Sequence, residues 1–331
     1  MNVLGIESTA HTFSISIAQK KNTKSQIEIL ATASDKYPST SEGYIPYKLA
    51  DHHAQVFQQL LEKALHDAHI SLKEINAIAY SQGSGLGHCL HVGFVSAKTL
   101  SHLLKVPLVP VNHSVAHIEI GREFNCKTSN PLVVYVSGGN TQKMQLDSKK
   151  HVYHIYGETL DLGIGNFLDV LGRELKLNPP DAVGVVSSAK NGSNYIEMPY
   201  TVRGMNLSFS GLQTFISKKL IGKNNTNDIC FSAQETAFAM LGETTERALC
   251  HTNAKELLLC GGNARNARLQ EILASVAKEH GATFACTSFE YSGDQAAMIA
   301  LTGLKMLQRK CISKELEPKQ RYRTDAVHVC W

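Results

Sequence analysis

The stretch LVVYVSGGNTQKMQL, residues 132–146, decides the fold. Its apolar beginning predicts a buried strand, the two glycines predict a tight turn, and Gln142–Leu146 predicts a second strand running back. The start of the chain repeats this order in NVLGIESTAHTFSISIA, residues 2–18, with predicted strands at Asn2–Ile6 and Phe13–Ala18. Two hairpins of one design, one in each half, predict a duplicated fold.

Around these hairpins, strand-like runs alternate with helical patterns, which is typical of an α/β protein. The further predicted strands are Ala77–Ser81, Pro107–Val111 and Leu257–Cys260. The predicted helices are Lys48–His69, Val92–Leu104, Gly163–Leu175, Phe231–His251, Asn266–His280 and Gln295–Gln308. The polar segment 126–131 predicts a boundary between domains 1–130 and 131–331, with the helix at about 295–308 packing back toward the first domain.

Composition sets broad limits on the class of protein. The chain has 331 residues, 43% of them hydrophobic and 19% charged, which excludes disorder and coiled coil as the main state. Its net charge of +4 permits a nucleic-acid partner without arguing for one. No apolar run reaches the ~20 residues of a membrane span, and the start lacks the pattern of a signal peptide. We therefore expect no membrane association and a cytoplasmic, possibly also nuclear, location.

The eight cysteines contain no CxxC pair. A chain of this length can stabilise its core without disulfides, so reduced thiols are expected.

Two glycine turns are candidate phosphate-binding elements. In YVSGGNT, residues 135–141, backbone N–H groups next to glycines can approach a phosphate closely, although a plain hairpin turn has the same composition. In LLLCGGNARN, residues 257–266, Asn266 can bind a base or ribose or simply cap the following helix.

The histidines of NHSVAHIEIG form a candidate metal site. His113 and His117 are four residues apart, so a helix capped by Asn112 would place both imidazoles on one face. Asp294 is a candidate third ligand, and it is also a candidate helix cap. A zinc protease of the HExxH type is excluded, because Ser114 stands where that motif has its glutamate.

Several segments follow one another in an order that resembles the tRNA N6-adenosine threonylcarbamoyltransferase family, in particular its archaeal and eukaryotic branch. Besides the histidine pair, the segments are GIESTAHT, HHAQVF, YVSGGNTQ, GETLDLGIGNFLDV, GMNLSFSGL, FSAQETAFAMLGETTERA, CGGNARNARL, GDQAAMIA and QRYRTDAVHVCW. The resemblance covers nearly the whole chain. It implies an actin/Hsp70/sugar-kinase-like (ASKHA) fold of two lobes, each a mixed sheet with helices, and a cleft between them.

The resemblance also implies an activity. A threonylcarbamoyl group would pass from threonylcarbamoyl-AMP to N6 of the adenosine beside the anticodon, in tRNAs that read codons beginning with A. The family's partners would be the other subunits of a KEOPS/EKC complex, namely a small protein kinase/ATPase, a small dimerising subunit and a kinase-binding subunit. Arg321 and Arg323 of the tail are better candidates for tRNA contact than the basic segment at Lys218, Lys219 and Lys223.

Site residues are implied in the same way. One divalent ion of iron, zinc or manganese would be held by His113, His117, Tyr135 and Asp294. The acyl-adenylate would contact the segment Tyr135, Val136, Ser137, Gly138 and Gly139, with Asp169 at its ribose and Asn266 at its adenine. Glu7 stands in the first turn, where kinases of this fold have an aspartate, and is also predicted to bind substrate.

The chain departs from the family pattern at a few positions. Pro180-Asp181-Ala182-Val183 replaces a Pro-Gly-Gly-Pro segment, Val186 replaces a glutamate that meets the nucleotide, and Asn263 and Arg265 enlarge the second glycine turn. Two alternatives therefore stay open. One is a scaffold subunit that binds nucleotide or tRNA without catalysis, and the other is a small-molecule kinase of the same fold.

Overall fold

The computed structural model describes residues 1–22, 25–38 and 43–331. Twelve strands are present in this part of the chain: β1 Asn2–Glu7, β2 Thr12–Gln19, β3 Glu28–Lys36, β4 Ala77–Gly83, β5 Leu108–Asn112, β6 Leu132–Val136, β7 Thr141–Asp147, β8 Val152–Glu158, β9 Val202–Arg203, β10 Asn206–Leu207, β11 Glu256–Cys260 and β12 Thr283–Cys286. The α-helices of the described residues are α1 Pro46–Asp67, α2 Gly87–Leu104, α3 His113–Asn125, α4 Ile164–Glu174, α5 Ala182–Ala189, α6 Ser210–Phe215, α7 Thr226–Thr252, α8 Ala267–Glu279, α9 Phe289–Ser292 and α10 Ala296–Gln308.

Two five-stranded sheets share one topology, which confirms the predicted duplication. The first sheet has the order β3-β2-β1-β4-β5 and the second has the equivalent order β8-β7-β6-β11-β12. In each sheet the hairpin strands pair antiparallel, and the two strands beyond the hairpin pair parallel. The carboxyl ends of β1 and β6 therefore lead into equivalent turns, and these are the two turns that the sequence singled out.

Helix α10 packs on the first sheet, although it follows the second sheet in the chain. Its small side chains allow a close approach to β1, because a Cβ added at Gly5 would lie only 2.5 Å from the backbone nitrogen of Ala300. Met298, Ile299 and Leu301 join the core formed by β1, β4 and β5. The chain thus returns to its first half after completing its second.

A buried ion network joins α3, α10 and β8. Glu119 is only 1% exposed, and its carboxylate contacts Arg122 at 2.5 Å, Lys305 at 3.1 Å and the Tyr153 hydroxyl at 3.1 Å. Burial alone would raise the pKa of Glu119, but Arg122 and Lys305 outweigh it and hold that pKa below its ordinary value. This network is where Glu119 projects, away from the histidine pair.

The residues after α10 run as an extended tail across both sheets. Gln82 of the first sheet donates its side-chain N–H to the carbonyl of Glu315 at 2.8 Å. The backbone N–H of Val329 donates to the carbonyl of His151, beside the second sheet, at 2.7 Å. Cys311 and Cys330 are joined by a disulfide, so the expectation of reduced thiols is wrong for this pair. Both cysteines belong to the tail, whose path brings their Cα atoms to 6.3 Å, a contact that the spacing in the sequence does not reveal.

Two helical segments differ from the sequence predictions. Lys218 and Lys219 lie in a π-helical turn, and α7 begins at Thr226, before the predicted start at Phe231, and is capped by Asn225. Helix α5 was not predicted, and Asp181 begins it by accepting hydrogen bonds from the N–H groups of its first turn. No helix in the described part of the chain is long and apolar enough to cross a membrane.

Candidate active site

Helix α3 positions the two histidines as the sequence predicts. The Asn112 side chain accepts a hydrogen bond from the backbone N–H of Val115 at 3.0 Å and caps the helix. His113 and His117 follow one turn apart, with ring centroids separated by 4.8 Å, and both are buried. Neither histidine therefore lies at the surface.

Asp294 faces the same two rings from the segment before α10. Its Oδ1 lies 3.2 Å from His117 Nε2 and 3.5 Å from His113 Nε2. Asp294 does not cap the helix, since Gln295 accepts the hydrogen bond from the N–H of Ala297 instead. One donor atom from each of His113, His117 and Asp294 lies within 4.8 Å of the others, a set suited to holding a metal ion.

Glu7 lies behind His113 and is fully buried. Its Oε2 is 2.9 Å from His113 Nδ1, while its Oε1 accepts hydrogen bonds from the backbone N–H and the hydroxyl of Thr9 at 2.7 and 2.5 Å. The Glu7 carboxylate therefore faces His113, and Glu7 does not line the cavity described below. Such a carboxylate fixes the tautomer of a metal-binding histidine, with Nδ1 protonated and Nε2 free.

The charges of this cluster couple strongly. Burial alone would lower the pKa of His113, but the carboxylates of Glu7 and Asp294 outweigh it and raise the pKa to about 9. Burial lowers the pKa of His117. Burial opposes ionisation of Asp294, yet His113 and His117 hold the pKa of Asp294 well below its usual range. Asp294 is thus held as a carboxylate.

Tyr135, at the end of β6, completes the wall on the side of the second sheet. Its ring centroid is 5.6 Å from that of His117, and burial raises the pKa of its hydroxyl. Among the described residues, eight buried side-chain polar atoms have no hydrogen-bond partner, and the Tyr135 hydroxyl is one of them. A buried hydroxyl without a partner costs free energy, so its place beside His117 indicates a site that a ligand completes.

A cavity of about 920 Å³ opens between the two sheets beside this cluster. Its wall includes His113, Tyr135 and Asp294, and the turn Ser137–Asn140. A Cβ added at Gly139 would meet no atom within 4 Å, so the backbone of the turn is open to a ligand here. Val136, by contrast, is fully buried and lies outside the wall.

The far wall carries the other predicted substrate residues. Asp169 of α4 accepts a hydrogen bond from the N–H of Ala182 at 2.9 Å, and burial raises the pKa of its carboxyl. The altered segment 180–183 and Val186 also line the cavity. Asn266 faces the cavity and caps α8 by accepting a hydrogen bond from the N–H of Leu269 at 3.2 Å, so its two predicted roles are compatible.

His11 and Tyr44 are among the wall residues that the sequence did not reveal. The His11 ring stacks on the Tyr44 ring, with centroids 5.0 Å apart. Burial lowers the pKa of His11 and raises that of Tyr44 to about 12. No local signal could have found this pair, because the two rings come from separate turns of the chain.

Cations also border the cavity. The Arg265 guanidinium lies over the Phe289 ring, 4.2 Å from the ring centroid, and Arg265 lines the cavity. Arg321 and Arg323 belong to the wall, and Arg323 pairs with Asp325 at 2.9 Å. Lys218, Lys219 and Lys223 are not part of it.

The fold and the site together define a two-lobed α/β protein of the actin/Hsp70/sugar-kinase class, with a set of metal-type donors in the cleft between duplicated sheets. A solved structure of HypF from Thermococcus kodakarensis shares this fold, with a TM-score of 0.65 at 14% identity over 95% of this chain and 48% of that one. The predicted fold class is confirmed.

The comparisons with known sequences are more specific. The family model described as tRNA N6-adenosine threonylcarbamoyltransferase matches residues 27–301. A relative of that name from Thermococcus kodakarensis is 42% identical over the full length of both chains. A "probable bifunctional tRNA threonylcarbamoyladenosine biosynthesis protein" from Methanocorpusculum labreanum is 43% identical over 99% of this chain and 60% of its own. The chain belongs to the tRNA N6-adenosine threonylcarbamoyltransferase family and is a transferase that acts on tRNA.

Proposed function

We propose that this chain transfers the threonylcarbamoyl group of threonylcarbamoyl-AMP to N6 of the adenosine beside the anticodon, in tRNAs that read codons beginning with A. One observation carries the proposal. The donor atoms of His113, His117 and Asp294 converge beside a cavity that the glycine turn Ser137–Asn140 also lines. The lobes would divide near residue 130, and the substrates would meet between them.

A divalent metal ion suits the residues present. His113, His117 and Asp294 would hold it, with the Tyr135 hydroxyl as a further ligand. The unpartnered Tyr135 hydroxyl supports a bound group at this place. Iron, zinc and manganese all accept two imidazoles and a carboxylate. When bound, the metal would polarise the carbamoyl carbonyl or neutralise the carboxylate and phosphate of the substrate.

The glycine turn would bind the phosphate of the adenylate. The backbone at Gly138 and Gly139 carries no side chain that would keep an oxygen away, and Gly139 is open to the cavity. N–H groups directed at the phosphate stabilise the charge that collects there as AMP departs. These residues would act on the leaving group, at the opposite side of the acyl centre from the attacking amine.

The nucleoside would lie against Asp169 and Asn266. A carboxylate oxygen of Asp169 can accept a hydrogen bond from a ribose hydroxyl, and the Asn266 amide can pair with the adenine edge. A cavity of about 920 Å³ is large enough for an acyl-adenylate. Fixing the acyl carbon in this way lets a weakly nucleophilic exocyclic amine attack at a high effective concentration.

Partners follow from the family. The relative from Methanocorpusculum labreanum is named bifunctional, and this chain corresponds to 60% of it. We infer that the chain works in a KEOPS/EKC-like assembly, in which the family resemblance implies a small protein kinase/ATPase as another subunit. The small dimerising and kinase-binding subunits would complete the assembly.

The experiment is a transfer assay with synthetic threonylcarbamoyl-AMP, a tRNA substrate, a divalent metal and the partner subunits. His117→Ala should abolish modified adenosine and bound metal together. His102→Ala, on the exposed face of α2, is the matched control and should retain both. Normal modification by the His117→Ala chain would contradict the metal role.

A scaffold without catalysis is the second candidate, because the altered residues 180–183 and Val186 border the nucleotide cavity. Calorimetry with a non-hydrolysable adenylate separates the two. A scaffold of this kind would fail to bind the adenylate and would still assemble with its partners. A small-molecule kinase is less well supported, because the Glu7 carboxylate is engaged by His113 and Thr9 behind the wall.

A further inference from the structure

Glu246, Cys250 and His280 form a surface cluster that the transfer reaction does not use. Glu246 and Cys250 are four residues apart on α7, so they share one face of that helix. His280 ends the neighbouring helix α8 and lies between them. Its Nε2 is 2.7 Å from Glu246 Oε1, and its Nδ1 is 3.4 Å from Cys250 Sγ.

These distances order the three groups as a nucleophile, a base and a positioning carboxylate. The Glu246 carboxylate accepts a hydrogen bond from the Nε2–H of His280. The lone pair of His280 Nδ1 therefore faces the Cys250 thiol. The thiol can therefore donate its proton to His280, and Glu246 stabilises the imidazolium that forms. Thiol, imidazole and carboxylate in hydrogen-bond sequence are the arrangement of an activated cysteine.

Cys250 is the exposed thiol of this chain, since all eight cysteines lie among the described residues and its five free companions are at least partly buried. Burial raises the pKa of Cys89 to about 11 and that of Cys126 to about 12, and it also raises the pKa of Cys230, Cys260 and Cys286. Those thiols stay protonated and shielded. Chemistry at a cysteine is therefore directed to Cys250.

We propose that Cys250 is a redox modification site that exchanges with low-molecular-weight disulfides such as glutathione disulfide. The thiol proton passes to His280 Nδ1, and the thiolate attacks one sulfur of the small disulfide. A new bond forms between Cys250 Sγ and that sulfur, the old S–S bond breaks, and the second sulfur leaves as a thiolate that takes up a proton. No external oxidant is needed, because the small disulfide is itself reduced.

The site is remote from the transfer cavity. Gln234, near the other end of α7, contacts Asn266 of the cavity wall at 3.4 Å. Cys250 is roughly 24 Å further along the same helix. Replacing Cys250 with serine should therefore leave basal transfer unchanged.

The test follows the reaction of the folded chain with glutathione disulfide, using peptide mass analysis to locate the adduct. We expect Cys250 to be modified first, and the Cys250→Ser chain to lose this fast phase. His280→Asn should slow the reaction roughly tenfold or more, and Glu246→Gln by a smaller factor, because both remove the proton relay. Each variant should unfold at the wild-type temperature, since the cluster is on the surface.

Two results would overturn the inference. One is an equal rate of Cys250 modification in the wild-type and His280→Asn chains. The other is faster modification of a buried cysteine than of Cys250. Neither result bears on the transfer function, whose test uses His117 beside the cavity.

Discussion

The Oε2 atom of Glu7 lies 2.9 Å from Nδ1 of His113, and this contact connects the histidine pair of α3 to the first turn of the chain. Glu7→Gln should weaken metal binding roughly 10- to 100-fold, which is typical when a partner of a ligating histidine is removed. An amide can present an N–H to Nδ1 and so favour the tautomer whose Nε2 carries the proton. Metal titration of the purified chain measures the effect. Glu197→Gln, on an exposed residue, is the control, and equal affinity of the two variants would refute the role of Glu7.

Glu119 stabilises the junction of α3, α10 and β8. Glu119→Ala should lower the free energy of unfolding by about 3–5 kcal/mol, because it leaves the largely buried guanidinium of Arg122 without its carboxylate and Lys305 with Glu123 alone. Glu123, 28% exposed and 2.7 Å from Lys305, provides the comparison. Glu123→Ala should cost about 1 kcal/mol or less. Urea unfolding of both variants checks the difference, and similar losses would show that burial of the network is unimportant.

Because Lys143 is buried, we expect the free energy of unfolding to depend on pH in an unusual way. Lys143 is fully buried on β7, its Nζ is 3.1 Å from the Thr244 hydroxyl, and burial lowers its pKa to about 7. Between this pKa and the ordinary lysine value the unfolded chain binds the extra proton, so the Lys143 contribution to stability rises as pH increases through that window. At pH 7 and below, the buried Lys143 lowers the free energy of unfolding.

Lys143→Met should therefore be more stable than the wild type at pH 7, with the advantage shrinking toward pH 10. Urea unfolding at several pH values gives the difference between the two chains. Lys149→Met changes an exposed residue and should show no such trend. A constant difference between Lys143→Met and the wild type across the window would rule out the shifted pKa.

Asn266 has two roles that substitution can separate. Asn266→Asp keeps the oxygen that caps α8 but loses the amide N–H₂, so stability should hold while adenylate affinity falls roughly tenfold. Asn266→Ala should lose both the cap and the amide, so adenylate affinity should fall and the free energy of unfolding should decrease by about 1 kcal/mol. Asn225→Ala, which removes the cap of α7, should cost stability without affecting the adenylate. Thermal unfolding and calorimetry measure the two properties, and unaltered adenylate affinity in Asn266→Asp would remove Asn266 from the binding site.

The strands at the centre of each sheet and the edge strand β5 were predictable from sequence, whereas the edge strands β3, β8 and β12 were not. β1, β2 and β6 carry apolar residues that the core requires, so their patterns are clear. β3 and β8 lie at the edges of their sheets, and their mixed side chains do not distinguish them from loops. Pairing with a neighbouring strand, rather than local pattern, makes them strands.

The site shows the same division. The spacing of His113 and His117 predicted their shared face, because a helix fixes it locally. The position of Glu7 behind His113 depends on how β1 and α3 meet, and spacing carries no record of that contact. For the same reason Asp294 remained ambiguous between ligand and cap until the structure placed Gln295 at the start of α10.

The extended tail limits how the two halves of the molecule can move. Its hydrogen bonds to Gln82 on one side and His151 on the other would have to break if the sheets swung widely apart. The disulfide between Cys311 and Cys330 closes the tail into a loop and so opposes the loss of these hydrogen bonds. A cleft of nearly fixed width loses little conformational entropy when its substrate binds. The specificity of binding would then come from the preformed shape of the cleft rather than from closure around the ligand.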